Sequence, residues 1–136
     1  MIDVKLKQKV DERLDDLIGM ARGLVKSTRI YEKVEERKPK TVEESQIRNI
    51  LSMASAVDSV KALETFIQYQ MGRGKIPKDF GDKLIENIYE FKEWASEFTD
   101  NVLQQKQIWL YLIRLYLGYL NMYFVYKKKI GGDEEW

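Results

Sequence analysis

The chain has 136 residues, enough for one domain, and its 44% apolar content, with 3 Trp, 8 Tyr and 5 Phe, can build a real core. It has neither cysteine nor histidine, which excludes disulfides, thiolate nucleophiles, zinc sites of the usual ligand types and histidine as a general base. The formal charge of +1 excludes strong bulk attraction to nucleic acid or anionic lipid, so any such binding needs a local basic patch.

Helical periodicity dominates throughout. A first segment, from about Ile2 to Met20, carries the apolar stripe Val10, Leu14, Leu17 and Ile18. Gly19 and Gly23 weaken its end. No apolar central region marks residues 1–20 as a secretory signal, and a cytoplasmic location is expected. Residues 25–40 are charge-rich and reach Pro39, so residues 1–40 read as a helical extension and linker separable from a bundle core over 41–132.

Thr41 and Glu44 have the spacing of a capping box at the start of a second helix. Val42, Ile47, Ile50, Leu51 and Ala54 form its apolar face. Opposite lie Ser45, Arg48, Asn49 and Ser52. Small polar groups around one arginine suit close contact with phosphates and sugar hydroxyls; a capped helix with a polar side is the plain alternative. A third segment from about Asp58 uses Val60, Leu63, Phe66, Ile67 and Met71 and stops at Gly72-Arg73-Gly74-Lys75. Glycines beside cations can wrap a phosphate, or can simply end a helix whose dipole favours positive charge there.

A fourth helix, from about Asp79 to Phe98, buries Leu84, Ile85, Ile88, Phe91 and Ala95 and carries Glu86, Glu90, Glu93 and Glu97 on another face. Those four are the one notable carboxylate cluster. With no histidine to add, they read as a solvated face or a dock for a basic partner surface rather than a metal site.

The fifth helix begins near Thr99 or Asp100 and continues to Lys129. Its stretch 108–126 is long enough to span a bilayer. Arg114 and Asn121 near its middle, and tyrosines spread through it, argue for a buried helix and against a membrane partner. Gln107, Arg114, Asn121 and Lys128 recur every seven residues and form a polar seam along one side. Lys127, Lys128 and Lys129 close the helix, complementing its dipole, marking the cytoplasmic edge of a membrane anchor or meeting a phosphate. Gly131-Gly132 ends it, and residues 133–136 form an acidic tail. The expected fold is an all-α bundle of about five helices with the long aromatic C-terminal helix near the centre.

Three of these motifs, in this order, resemble a family. Thr41-Val-Glu-Glu-Ser-Gln-Ile-Arg-Asn-Ile-Leu51, the helix end Gln70-Met71-Gly72-Arg73, and Tyr126-Lys127-Lys128 followed by Ile130-Gly131-Gly132 are similar to the small all-helical subunit of type III-A CRISPR–Cas interference (Csm) complexes. The resemblance covers about residues 41–132 and leaves 1–40 unexplained; it departs from the family at Asn121, where relatives often carry an acidic residue. It implies a non-enzymatic, cofactor-free protein whose copies self-associate in a minor filament beside other subunits of the complex. By that analogy the partners are guide RNA and target RNA, contacted through the duplex backbone. Arg48, Arg73 and Lys128 are the implied RNA contacts, with Asn49, Ser52 and Lys75 beside them. The alternative is a helical interaction module, a dimeric adaptor or antitoxin-like protein, with no RNA role.

Overall fold

The computed structural model describes residues 4–27 and 42–131. Among them are six α-helices and no strand: α1 Val4–Glu12, α2 Leu14–Ser27, α3 Glu44–Ala56, α4 Val60–Gly72, α5 Lys78–Phe98 and α6 Val102–Tyr126, the last continued by a π-helical turn over Lys127–Gly131. The protein is an all-α bundle.

α6 is its axis. Ile108, Leu112, Ile113, Tyr116, Leu117, Leu120 and Phe124 are fully buried, and α2, α3 and α5 pack along three sides of the helix. A helix apolar around most of its circumference has no solvent face to offer, so it goes to the centre. Val102–Ile130 has the length and composition of a membrane-crossing helix. Here one part of its apolar surface, from Ile108 to Phe124, is covered by other helices of the same chain, while Val102, Leu103, Met122, Tyr126 and Ile130 are exposed.

Side-chain contacts fix the direction of each helix. The Trp109 indole N–H donates to the Ile88 carbonyl at 2.8 Å and Asn87 Nδ2 to the Tyr116 hydroxyl at 2.8 Å, so α5 runs antiparallel to α6. The Tyr89 hydroxyl donates to Glu64 at 2.7 Å, and Gly81 faces Met71, which sets α4 antiparallel to α5. Gln70 Nε2 meets Gln46 Oε1 at 2.6 Å, so α3 in turn is antiparallel to α4. Just before α2, Arg13 stacks on Trp94 at 3.8 Å, while Arg22 within it lies over Tyr123 at 5.1 Å; α2 therefore runs parallel to α6. The bundle has two ends, one at Asn101 and one at Gly72.

Three sequence expectations change. The first segment is two helices, because the chain turns at Arg13, whose guanidinium bonds Asp16 at 3.2 Å and approaches Glu97 at 3.6 Å. α2 runs through Gly19 and Gly23 to Ser27: each glycine costs about 1 kcal/mol of helix propensity, offset by burial of Leu17, Ala21, Leu24 and Val25. These residues join the same core cluster as α3–α6. Finally, α3 starts at Glu44, with Glu43 as N-cap and no side-chain capping bond. Thr41, the other half of the expected capping box, lies outside the described residues, as does the 133–136 tail.

Candidate functional site: the Gly72 end

Helix direction brings the candidate cations to one end. The first turns of α3 with Arg48, the loop Gly72–Lys75 after α4, and the Lys127–Gly131 turn after α6 all sit at the Gly72 end of the bundle. Residues from three distant parts of the sequence thus share one end of the bundle.

Each element places its side chains for a local reason. On α3, Ile47, Ile50 and Ala54 are buried. Steps of 100° per residue put Ser45, Arg48, Asn49 and Ser52 on the opposite side, and Arg48, Asn49 and Ser52 are exposed. Arg48 pairs with Glu44 one turn earlier at 3.3 Å; such an exposed i,i+4 pair is weak and exchangeable. α4 ends because Gly74 takes φ +76°, a conformation that favours glycine. The turn is closed by Gly74 N–H to the Met71 carbonyl at 3.0 Å and Lys75 N–H to the Gln70 carbonyl at 2.9 Å.

Arg73 is held on that turn. Its guanidinium donates to Gln70 Oε1 at 3.2 Å and lies 5.4 Å from the Tyr69 ring. Gln70 is itself buried and donates to Gln46. Gln46 is half-buried on α3, one position round the helix from Asn49. A relay Gln46–Gln70–Arg73 therefore ties the Gly-Arg loop to the polar face of α3. The sequence did hold a signal for it: Gln70 falls on the buried stripe of Leu63 and Ile67, where a polar residue needs a partner.

Lys75 and Lys128 are exposed, and Lys128 Nζ lies 5.6 Å from the Phe124 ring. Lys127 turns inward and is buried, so the exposed cations of the last turn are Lys128 and Lys129. Lys78 is committed to Asp82 at 2.6 Å, a hydrogen bond that raises its pKa. The arrangement is a set of exposed donors. It can hold an anionic backbone by hydrogen bonds and charge.

Of the polar seam, Lys128 belongs to this surface, whereas Arg114 and Asn121 do not. Arg114 Nε donates to the Ala54 carbonyl at 2.8 Å, and Nη2 to the Val57 carbonyl at 3.0 Å and Asp58 at 3.1 Å; it clamps the C-terminus of α3. Asn121 Oδ1 is buried without a hydrogen-bond partner. The glutamates of α5 lie elsewhere, with Glu86 near Lys83 at 3.6 Å and Glu97 near Arg13. Among the described residues, no cluster of three carboxylates is arranged to hold a metal ion.

No family model, no curated protein and no solved structure matches this chain.

Proposed function

We propose that the protein is a non-catalytic, RNA-contacting small subunit of a type III-A CRISPR effector complex, and that its Gly72 end grips the phosphate backbone of the guide–target duplex. The observation that carries this reading is the convergence of Arg48, Arg73 and Lys128 on one end of the bundle, from three motifs that occur in the family's order. Arg73 is the main contact. Its turn backbone is fixed and its guanidinium is oriented by Gln70, so little freedom is lost when it forks onto a phosphate. Asn49, Ser52 and Lys75 supply secondary hydrogen bonds to phosphate or 2′-hydroxyl oxygens.

A subunit of net charge +1 releases few counterions, so binding belongs to the assembly rather than to the isolated chain. Successive copies held in register raise the effective concentration of each weak contact. The test is reconstitution of the complex with Arg48→Ala, Arg73→Ala and the pair. The variants should assemble normally and bind target RNA more weakly, and the salt slope should fall by about one for each phosphate no longer neutralised. Normal assembly with unchanged affinity and slope would dismiss these residues and favour a protein-interaction module without an RNA role.

A further inference from the structure

The opposite end of the bundle carries a second surface. Where α4 begins, α5 ends and α6 begins, an open groove of about 640 Å³ is lined by Val60, Tyr89, Val102 and Trp109, with Lys61, Lys92 and Lys106 on its rim. Its floor is apolar and aromatic. Tyr89 and Trp109 pack with ring centroids 5.3 Å apart, and Val102 is 78% exposed. Trp109 cannot turn away, because its indole N–H is bonded to the Ile88 carbonyl.

The rim is electrostatically unmatched. Several cations elsewhere have a carboxylate partner: Lys7 has Asp11, Arg13 has Asp16, Lys78 has Asp82 and Arg114 has Asp58. Lys61, Lys92 and Lys106 form no ion pair among the described residues, and Glu93 is the one carboxylate lining the groove. Lys92 lies 5.5 Å from the centre of the Trp109 ring. Three lysines against one glutamate favour an anionic occupant, and the floor of Val60, Val102, Tyr89 and Trp109 favours one that also carries an apolar group. A segment combining an apolar anchor with several carboxylates fits both.

The sequence contains such a segment. Asp133-Glu134-Glu135-Trp136 sets three carboxylates beside one tryptophan, after Gly131-Gly132. Within one molecule the two cannot meet: from Trp109 to Gly131 the helix runs about 33 Å at 1.5 Å per residue, whereas residues 132–136 reach about 18 Å fully extended. We infer that the groove between the start of α4 and the start of α6 binds residues 133–136 of a second copy of this chain, with Trp136 on the Val102–Trp109 floor and the three carboxylates against Lys61, Lys92 and Lys106. The groove and the turn that leads into the tail lie towards opposite ends of the bundle, so the contact is heterologous and propagates from copy to copy. It does not depend on the RNA reading, which concerns the Gly72 end.

The test uses the full chain and a fluorescent peptide of sequence GGDEEW. The peptide should bind saturably, weaken as salt rises, and compete with concentration-dependent self-association in sedimentation velocity. Reversal of Lys61, Lys92 and Lys106 to Glu should weaken the peptide by about tenfold or more, since several rim pairs are removed together. A peptide with lysines in place of its three acids should regain affinity for that reversed protein, which distinguishes removal of the rim charges from misfolding of the variant. Trp136→Ala in the full chain should reduce self-association. Absence of saturable peptide binding, or self-association indifferent to both tail and groove changes, would overturn the inference. So would a single-stranded oligoribonucleotide that binds the groove in preference to the peptide and is blocked by the same reversals.

Discussion

Arg114 reaches across from the central helix to hold the end of a helix sixty positions earlier, its Nε donating to the Ala54 carbonyl at 2.8 Å. The last carbonyls of a helix have no intrahelical donor, and α3 ends on Val57 in an extended conformation, with no glycine to satisfy them. Arg114 supplies the donors instead, at Ala54 and Val57. Arg114→Ala should therefore destabilise the protein by about 2 kcal/mol, the cost of leaving these carbonyls unpaired in a part-buried setting. Arg114→Lys should recover only a fraction, since a point donor cannot span three acceptors. Urea denaturation measures both. If Arg114 acts by packing alone, neither variant changes target-RNA affinity in an assembled complex.

Gln70 separates orientation from charge at the Gly72 end. Gln70→Leu removes the bonds to Gln46 and Arg73 and keeps every cation. Stability should fall by about 1–2 kcal/mol, because Gln46 is left with an unmet partner. If Arg73 forks onto a phosphate, RNA affinity falls less for Gln70→Leu than for Arg73→Ala. The salt slope stays unchanged, because the number of phosphates neutralised is the same. A slope that drops with Gln70→Leu would mean that Arg73 has left the interface altogether.

Tyr116 gives a pH signature. The phenol is fully buried beside Asn87, and burial raises its pKa well above the ordinary value of 10, partly opposed by the Asn87 hydrogen bond. In the unfolded chain the phenol ionises near pH 10. Above that pH the unfolded state binds fewer protons than the folded state, so stability falls as pH rises. The contribution is complete below pH ~10 and is lost progressively above it. Thermal melts from pH 8 to 11 should show a steeper alkaline decline for the parent than for Tyr116→Phe. The variant should be less stable by about 1 kcal/mol at neutral pH, where Asn87 Nδ2 is left without its acceptor. Parallel declines would place the alkaline loss on other groups.

The legible part of the fold was what a single helix reveals about itself. The all-round apolarity of α6 dictated its central place, and the stripes of α3, α4 and α5 gave their buried faces. The turn at Arg13 was hidden because Val10, Leu14 and Leu17 keep the helical stripe going across it; what holds Arg13 is Trp94, eighty-one positions away. The end of α3 was equally opaque, since its clamp comes from Arg114. At the candidate site, Arg48, Asn49 and Ser52 could be read as an exposed face, being opposite the stripe. Their sharing an end with Arg73 and Lys128 could not, because it depends on the direction of every helix in the bundle. Lys61, Lys92 and Lys106 were missed for the same reason.

Gly81 on α5 and Met71 on α4 offer a measurement of how tightly this end is packed. Gly81 is buried, and a Cβ built there would overlap Met71 Sδ and lie 2.7 Å from Met71 Cγ. Two effects oppose each other in Gly81→Ala. Replacing glycine within a helix gains about 1 kcal/mol of propensity, while overpacking a filled site costs about 1–3 kcal/mol. The second is larger here, because the atoms met lie in the middle of the Met71 side chain and the whole side chain must move. The single variant should be destabilised by about 1 kcal/mol once these terms are combined. In a Met71→Ala background the obstacle is gone and only the propensity gain remains, so the same substitution should stabilise. A double-mutant cycle by urea denaturation should then give a coupling of about 1–2 kcal/mol, and simple additivity of the two substitutions would show that α4 and α5 do not meet through this pair.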